Sequence, residues 1–67
     1  MSNVRYPNVT VPLVGEDGNA FAILGRVQRA LRKAGVPKEE IDAFIKEAMS
    51  GDYDALLATV MRWVEVE

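Results

Sequence analysis

The stretch Asn19-Ala20-Phe21-Ala22-Ile23-Leu24-Gly25-Arg26-Val27-Gln28-Arg29-Ala30-Leu31-Arg32-Lys33-Ala34-Gly35 decides between two folds. Read as a helix, it places Phe21, Leu24, Val27, Leu31 and Ala34 at spacings of three and four, with Ala20, Ile23 and Ala30 beside them. That period belongs to an amphipathic helix. Read as a strand, Ala20 to Leu24 would turn back on Val11-Pro12-Leu13-Val14 as a hairpin. The apolar period runs on through Ala34, well past a hairpin strand, so a helix is the expected structure. Asn19 can cap the orphan N–H groups of the first turn. Arg32 and Lys33 place positive charge at the carbonyl end of the dipole, and Gly35 stops the helix. These signals put the first helix at 19–34.

On the C-terminal side, Pro37 stands at a helix start, where its missing N–H costs nothing. Ile41, Phe44, Ile45 and Ala48 make one apolar stripe, extended by Met49. Asp42 and Lys46 form an i,i+4 pair in the favourable order. A second helix is expected at 38–49, ended by Ser50-Gly51. Asp52 then caps a third at 52–63, whose buried stripe is Leu56, Leu57, Val60, Met61 and Val64, with Trp63 beside it. The tail 63–67 alternates apolar and acidic residues, which is a strand pattern, and a frayed helix end is the competing reading. On the N-terminal side, residues 8–14 are β-branched and apolar and read as a strand. Pro12 restricts that strand to an edge or to pairing on one side. Gly15-Glu16-Asp17-Gly18 reads as a turn. The expected fold is therefore α+β and mostly helical: a three-helix bundle with an N-terminal strand and a C-terminal segment as its candidate partner. Residues 1–7 are expected to be a loose terminus and 8–67 a single small domain.

Composition narrows the function. The chain has 67 residues, 8 Lys+Arg against 10 Asp+Glu, a net charge of −2, no Cys and no His, and 49% apolar residues. Disulfide scaffolds, zinc modules, His-ligated haem and Cys/His hydrolases all require side chains that this chain lacks. The Asp52-Tyr53-Asp54 triplet sends its two carboxylates to different sides of a helix start. Glu16-Asp17-Gly18-Asn19 lacks the ligand alternation and closing Glu of a calcium loop. Gly15 and Gly18 could cradle an anion on backbone N–H groups, but Glu16 and Asp17 would repel it. The hydroxyls of Ser2, Thr10, Ser50 and Thr59 have no His or Cys to activate them, and three short helices leave little room for a substrate pocket of ~300 Å³. No enzyme activity, cofactor, metal or small-molecule substrate is expected. No apolar run reaches the ~20 residues of a membrane span, and the N-terminus does not read as a secretory signal. A cytoplasmic location is expected.

The small net charge conceals a division. Residues 19–35 carry Arg26, Arg29, Arg32 and Lys33 with no acid, whereas residues 36–50 and 51–67 are net −2 and −3. On a helix, Arg26, Arg29 and Lys33 share one stripe and Arg32 is offset from it. Such a face can be solvated, balancing the acidic helices across the bundle, or it can receive an acidic partner. A binding role is the expected function: a protein–protein interaction module or accessory subunit, with homodimer formation open. Its candidate surfaces are the unpaired edge of 8–14, the basic face of Arg26, Arg29, Arg32 and Lys33, and Met61 with Trp63 if these are exposed. The alternative is a nucleic-acid-associated regulator using the first helix, and its affinity would fall steeply with salt.

Three resemblances add to this. Leu31 to Ile41 resembles the turn of a helix-turn-helix, with Gly35 at the turn and Ile41 as anchor. The following helix carries Glu39, Glu40, Asp42 and Glu47 and no Arg, Asn or Gln to read a base edge, so DNA reading through it is not expected. Gly35-Val36-Pro37 and Gly51-Asp52 stand at about the separation found in ubiquitin-associated domains, which pack three short helices. That resemblance would place a binding surface on the 35–37 loop and near Met61 and Val64. Asp17-Gly18-Asn19-Ala20-Phe21, Gly25-Arg26, Glu40-Ile41-Asp42 and Ser50-Gly51-Asp52-Tyr53-Asp54 together resemble a family of small uncharacterised bacterial and phage-associated proteins. It implies a bacterial source, and since that family has no assigned activity it adds no mechanism.

Overall fold

The computed structural model describes residues 4–13 and 18–67. The elements run β1 (Tyr6–Val11), α1 (Ala20–Lys33), α2 (Lys38–Ala48), α3 (Tyr53–Trp63) and β2 (Val64–Val66). The expected α+β architecture is the observed one. The C-terminal tail is a strand, which resolves the choice left open by its alternating pattern. Val14, the expected end of the first strand, and Gly15-Glu16-Asp17 of the expected turn lie outside the described residues, as do residues 1–3.

The first and last elements pair as a two-stranded parallel sheet, with Tyr6 opposite Val64, Thr10 opposite Glu65 and Val11 opposite Val66. Parallel strands need a long crossover, and here the three helices provide it. The register slips between Tyr6 and Thr10, so β1 bulges away from a partner three residues long. The strand starts earlier than its β-branched run. Tyr6 and Pro7, expected in a loose terminus, belong to β1, and the Arg5 N–H donates to the Arg62 carbonyl at 2.9 Å. Pairing with β2 extends order past what local propensity supports.

Each helix end follows from its residues. The Asn19 side chain accepts from the Phe21 N–H at 2.9 Å, and Asp52 accepts from the Ala55 N–H at 2.9 Å. Beyond α1, the Gly35 N–H donates to the Arg32 carbonyl and the Val36 N–H to the Leu31 carbonyl, each at 3.0 Å. This is a Schellman closure. It requires a left-handed residue, supplied by Gly35 at φ 86°. The helix α3 runs into β2 without a loop, because Val64 is both its C-cap, donating to the Val60 carbonyl, and the first strand residue.

The core gathers Val9 and Val11 from β1, Ile23, Leu24, Val27 and Leu31 from α1, Ile41, Phe44 and Ala48 from α2, and Leu56, Val60, Trp63 and Val64 from the end of the chain. Phe21 is not among them. It is 76% exposed, which corrects its expected place in the core stripe. A helix turns about 100° per residue, so two successive steps of three carry Phe21 about 120° away from Val27 and off the buried face. Met49, the C-cap of α2, and Met61 also lie outside the core.

Candidate binding surfaces

Trp63 is the hub of one end of the molecule. Its ring meets Phe44 edge-on at 5.5 Å and Tyr6 at 5.9 Å between centroids, and the Arg5 guanidinium lies over it at 4.6 Å. The indole N–H donates to Glu47 at 3.2 Å, and the other Glu47 oxygen pairs with Arg62. On the far side of Tyr6, Glu40 accepts from the Tyr6 hydroxyl at 2.9 Å and pairs with Arg5 at 2.7 Å. Glu40 and Glu47, two turns apart on α2, thus hold β1 and α3 against it. Desolvation and then the Glu40 carboxylate push the Tyr6 hydroxyl above its ordinary pKa.

This cluster corrects one expected site residue. Trp63 is 4% exposed and offers no surface to a partner, because the bundle seats its ring between α2 and β1. Met61 is exposed and remains on the surface. Val64 is fully buried in the sheet, so a surface combining Met61 with Val64, as the ubiquitin-associated resemblance implied, does not form.

The basic face of α1 divides in two. Arg26 is half-buried and is engaged in an interaction of its own. Arg29, Arg32 and Lys33 are exposed, and among the described residues none of the three forms an ion pair. Glu40 and Glu47 pair with Arg5 and Arg62. Helical geometry places Arg29 and Lys33 on the same flank as Arg26, and Arg32 on the flank that carries Phe21.

A surface missed by reading the sequence lies where the start of α1, the end of α2 and the start of α3 meet. Here Ala20, Phe21, Leu24, Met49, Tyr53 and Leu56 wall a groove of about 230 Å³. Phe21, Met49 and Tyr53 are large apolar side chains left exposed around it. Its polar groups are already used. Asp52 caps α3, and the Tyr53 hydroxyl donates to the Gly18 carbonyl. The groove can therefore hold an apolar side chain and has no evident chemistry of its own. The signal that could have found it was the helical wheel of α1, on which Phe21 sits beyond the buried arc.

A second cleft, of about 220 Å³, separates Asn8, Val9 and Thr10 of β1 from Ala30, Lys33 and Ala34 of α1. Among the described residues, no three His, Cys, Asp or Glu side chains converge to hold a metal ion, and no helix is long and apolar enough to cross a membrane.

Fold and surfaces together define a small α+β domain, three helices closed by a parallel pair of terminal strands, with open clefts on its outside. No family model matches the chain, nor does any curated protein or solved structure.

Proposed function

We propose that this chain is a non-catalytic protein-binding module, an accessory subunit that receives an apolar side chain of a partner protein in the Phe21–Met49–Tyr53 groove. The observation that carries this reading is the exposure of those three side chains, at 76%, 56% and 45%, around one concavity. Clustered large apolar groups on a small folded surface mark interaction sites. Asp52 lines the groove, and its charge favours a partner whose apolar anchor has a basic neighbour. An acidic, cysteine-free chain suits a cytoplasmic setting, and the likeness to small bacterial and phage-associated proteins belongs to the same reading.

The test places a photo-crosslinking residue at Met49, inside the groove, and separately at Ala43, on the exposed face of α2. A discrete adduct from position 49, absent from position 43 and abolished by Phe21→Ser with the circular dichroism unchanged, is the expected result. Equal labelling from both positions, or labelling indifferent to Phe21→Ser, would overturn the proposal.

A further inference from the structure

The geometry points to a second site, independent of the groove: we propose that the free edge of β1, together with Arg29 and Lys33 of α1, receives a short acidic peptide segment in extended conformation. Among the described residues β1 has one strand partner, β2. The Val11 carbonyl accepts from the Glu67 N–H at 3.0 Å, and the Leu13 N–H donates to the Glu67 carbonyl at 3.2 Å. Backbone groups alternate sides along a strand. The Thr10 N–H and carbonyl and the Pro12 carbonyl therefore turn to the opposite edge. Pro7 and Pro12 have no N–H to offer, so they bracket a short usable edge, and an incoming strand is limited to about four residues at 3.3 Å each.

What lies beside that edge sets the chemistry of the guest. The helix side of the cleft there is lined by Ala30, Lys33 and Ala34, two small side chains and one cation. Arg29 stands one turn back on the same flank of α1. Neither cation is ion-paired among the described residues, and α1 carries no acid. A strand added to a sheet edge gains affinity from main-chain bonds and selectivity from its alternate side chains. Carboxylates at alternate positions would meet Lys33 and Arg29. The molecule already shows what β1 accepts: its occupied edge holds Val64-Glu65-Val66-Glu67, a strand of alternating valine and glutamate. A nucleic acid fits this site less well, since it cannot complete a strand edge, and the remaining surface of the chain is acidic.

The experiment is an amide chemical-shift titration of the ¹⁵N-labelled chain with a six-residue peptide alternating glutamate and valine. The controls are the same peptide with lysine for glutamate, the same peptide N-methylated at alternate residues, and a short single-stranded DNA. Shifts confined to Asn8–Val11 and Ala30–Ala34 are expected, with the Glu67 amide unmoved because β2 stays in place. Arg29→Glu with Lys33→Glu should weaken binding about tenfold, and Thr10→Pro should abolish it by removing the outward N–H. The N-methylated peptide tests the same bond on the unaltered chain, should Thr10→Pro fail to fold. The proposal is overturned if the lysine peptide binds equally well. It is also overturned if the shifts fall at Phe21 and Met49, if N-methylation has no effect, if DNA binds the same residues more tightly, or if no shift appears at millimolar peptide.

Discussion

Two phenylalanines in this chain have opposite roles, and their positions explain why. Phe44 is fully buried and packs edge-on against Trp63, whereas Phe21 is mostly in solvent. Phe44→Ala should destabilise the fold by about 3–5 kcal/mol. Phe21→Ser should stay within about 0.5 kcal/mol. Urea denaturation of the two variants checks this, and a large loss in Phe21→Ser would mean that the side chain packs in solution. Tyr6 makes a prediction in pH. Desolvation and Glu40 raise its hydroxyl pKa in the folded state. Above the ordinary value of about 10 the unfolded chain therefore loses this proton first. The stabilisation tied to Tyr6 is full below that pH and is lost as pH climbs through the raised folded value. Tyr6→Phe keeps the ring against Trp63 and removes this contribution. Its urea midpoint should fall less than that of the unaltered chain between about pH 9 and pH 11.

The elements of this fold are set mainly by their ends. Asn19, Gly35, Pro37 and Asp52 occupy the cap and stop positions that their chemistry suits, and the observed helices begin and end within a residue or so of where those signals place them. Gly35 is the most constrained of the four, because its φ of 86° belongs to a closure with bonds to Arg32 and Leu31. Gly35→Ala should cost about 1–2 kcal/mol, seen as a lower melting midpoint with unchanged helical circular dichroism. An unchanged midpoint would show that the α1–α2 connection tolerates another closure. The strands behave differently. β1 begins at Tyr6 rather than Asn8, and a residue-by-residue reading could not show this. A strand exists only where a partner supplies its bonds, and here the partner is the last segment of the chain.

That pairing of the two chain ends organises the whole molecule. Among the described residues, the last segment of the chain provides the one strand partner of β1, and Trp63 beside it touches Tyr6, Arg5, Phe44 and Glu47. Removing residues 64–67 should uncover Val9 and Val11 and abolish cooperative folding. In the intact chain, Trp63 emission and far-ultraviolet circular dichroism should report one coincident transition. If the two transitions separate, the sheet end and the helices unfold as independent units.

The three helices, their order and limits, the strand character of the first segment and the basic stretch on α1 were legible in the sequence, because periodicity, capping and charge are local properties. Four matters were decided by tertiary structure alone. The tail became a strand because β1 lies beside it. Trp63 went inside because Glu47 satisfies its N–H and three other side chains close over its ring. Phe21 stayed outside because the bundle covers one arc of α1, and Phe21 falls beyond that arc. Arg29 and Lys33 are exposed and form no ion pair among the described residues, while Glu40 and Glu47 pair with Arg5 and Arg62. Each of these outcomes depends on which distant residues meet, and a pattern within one segment carries no record of that.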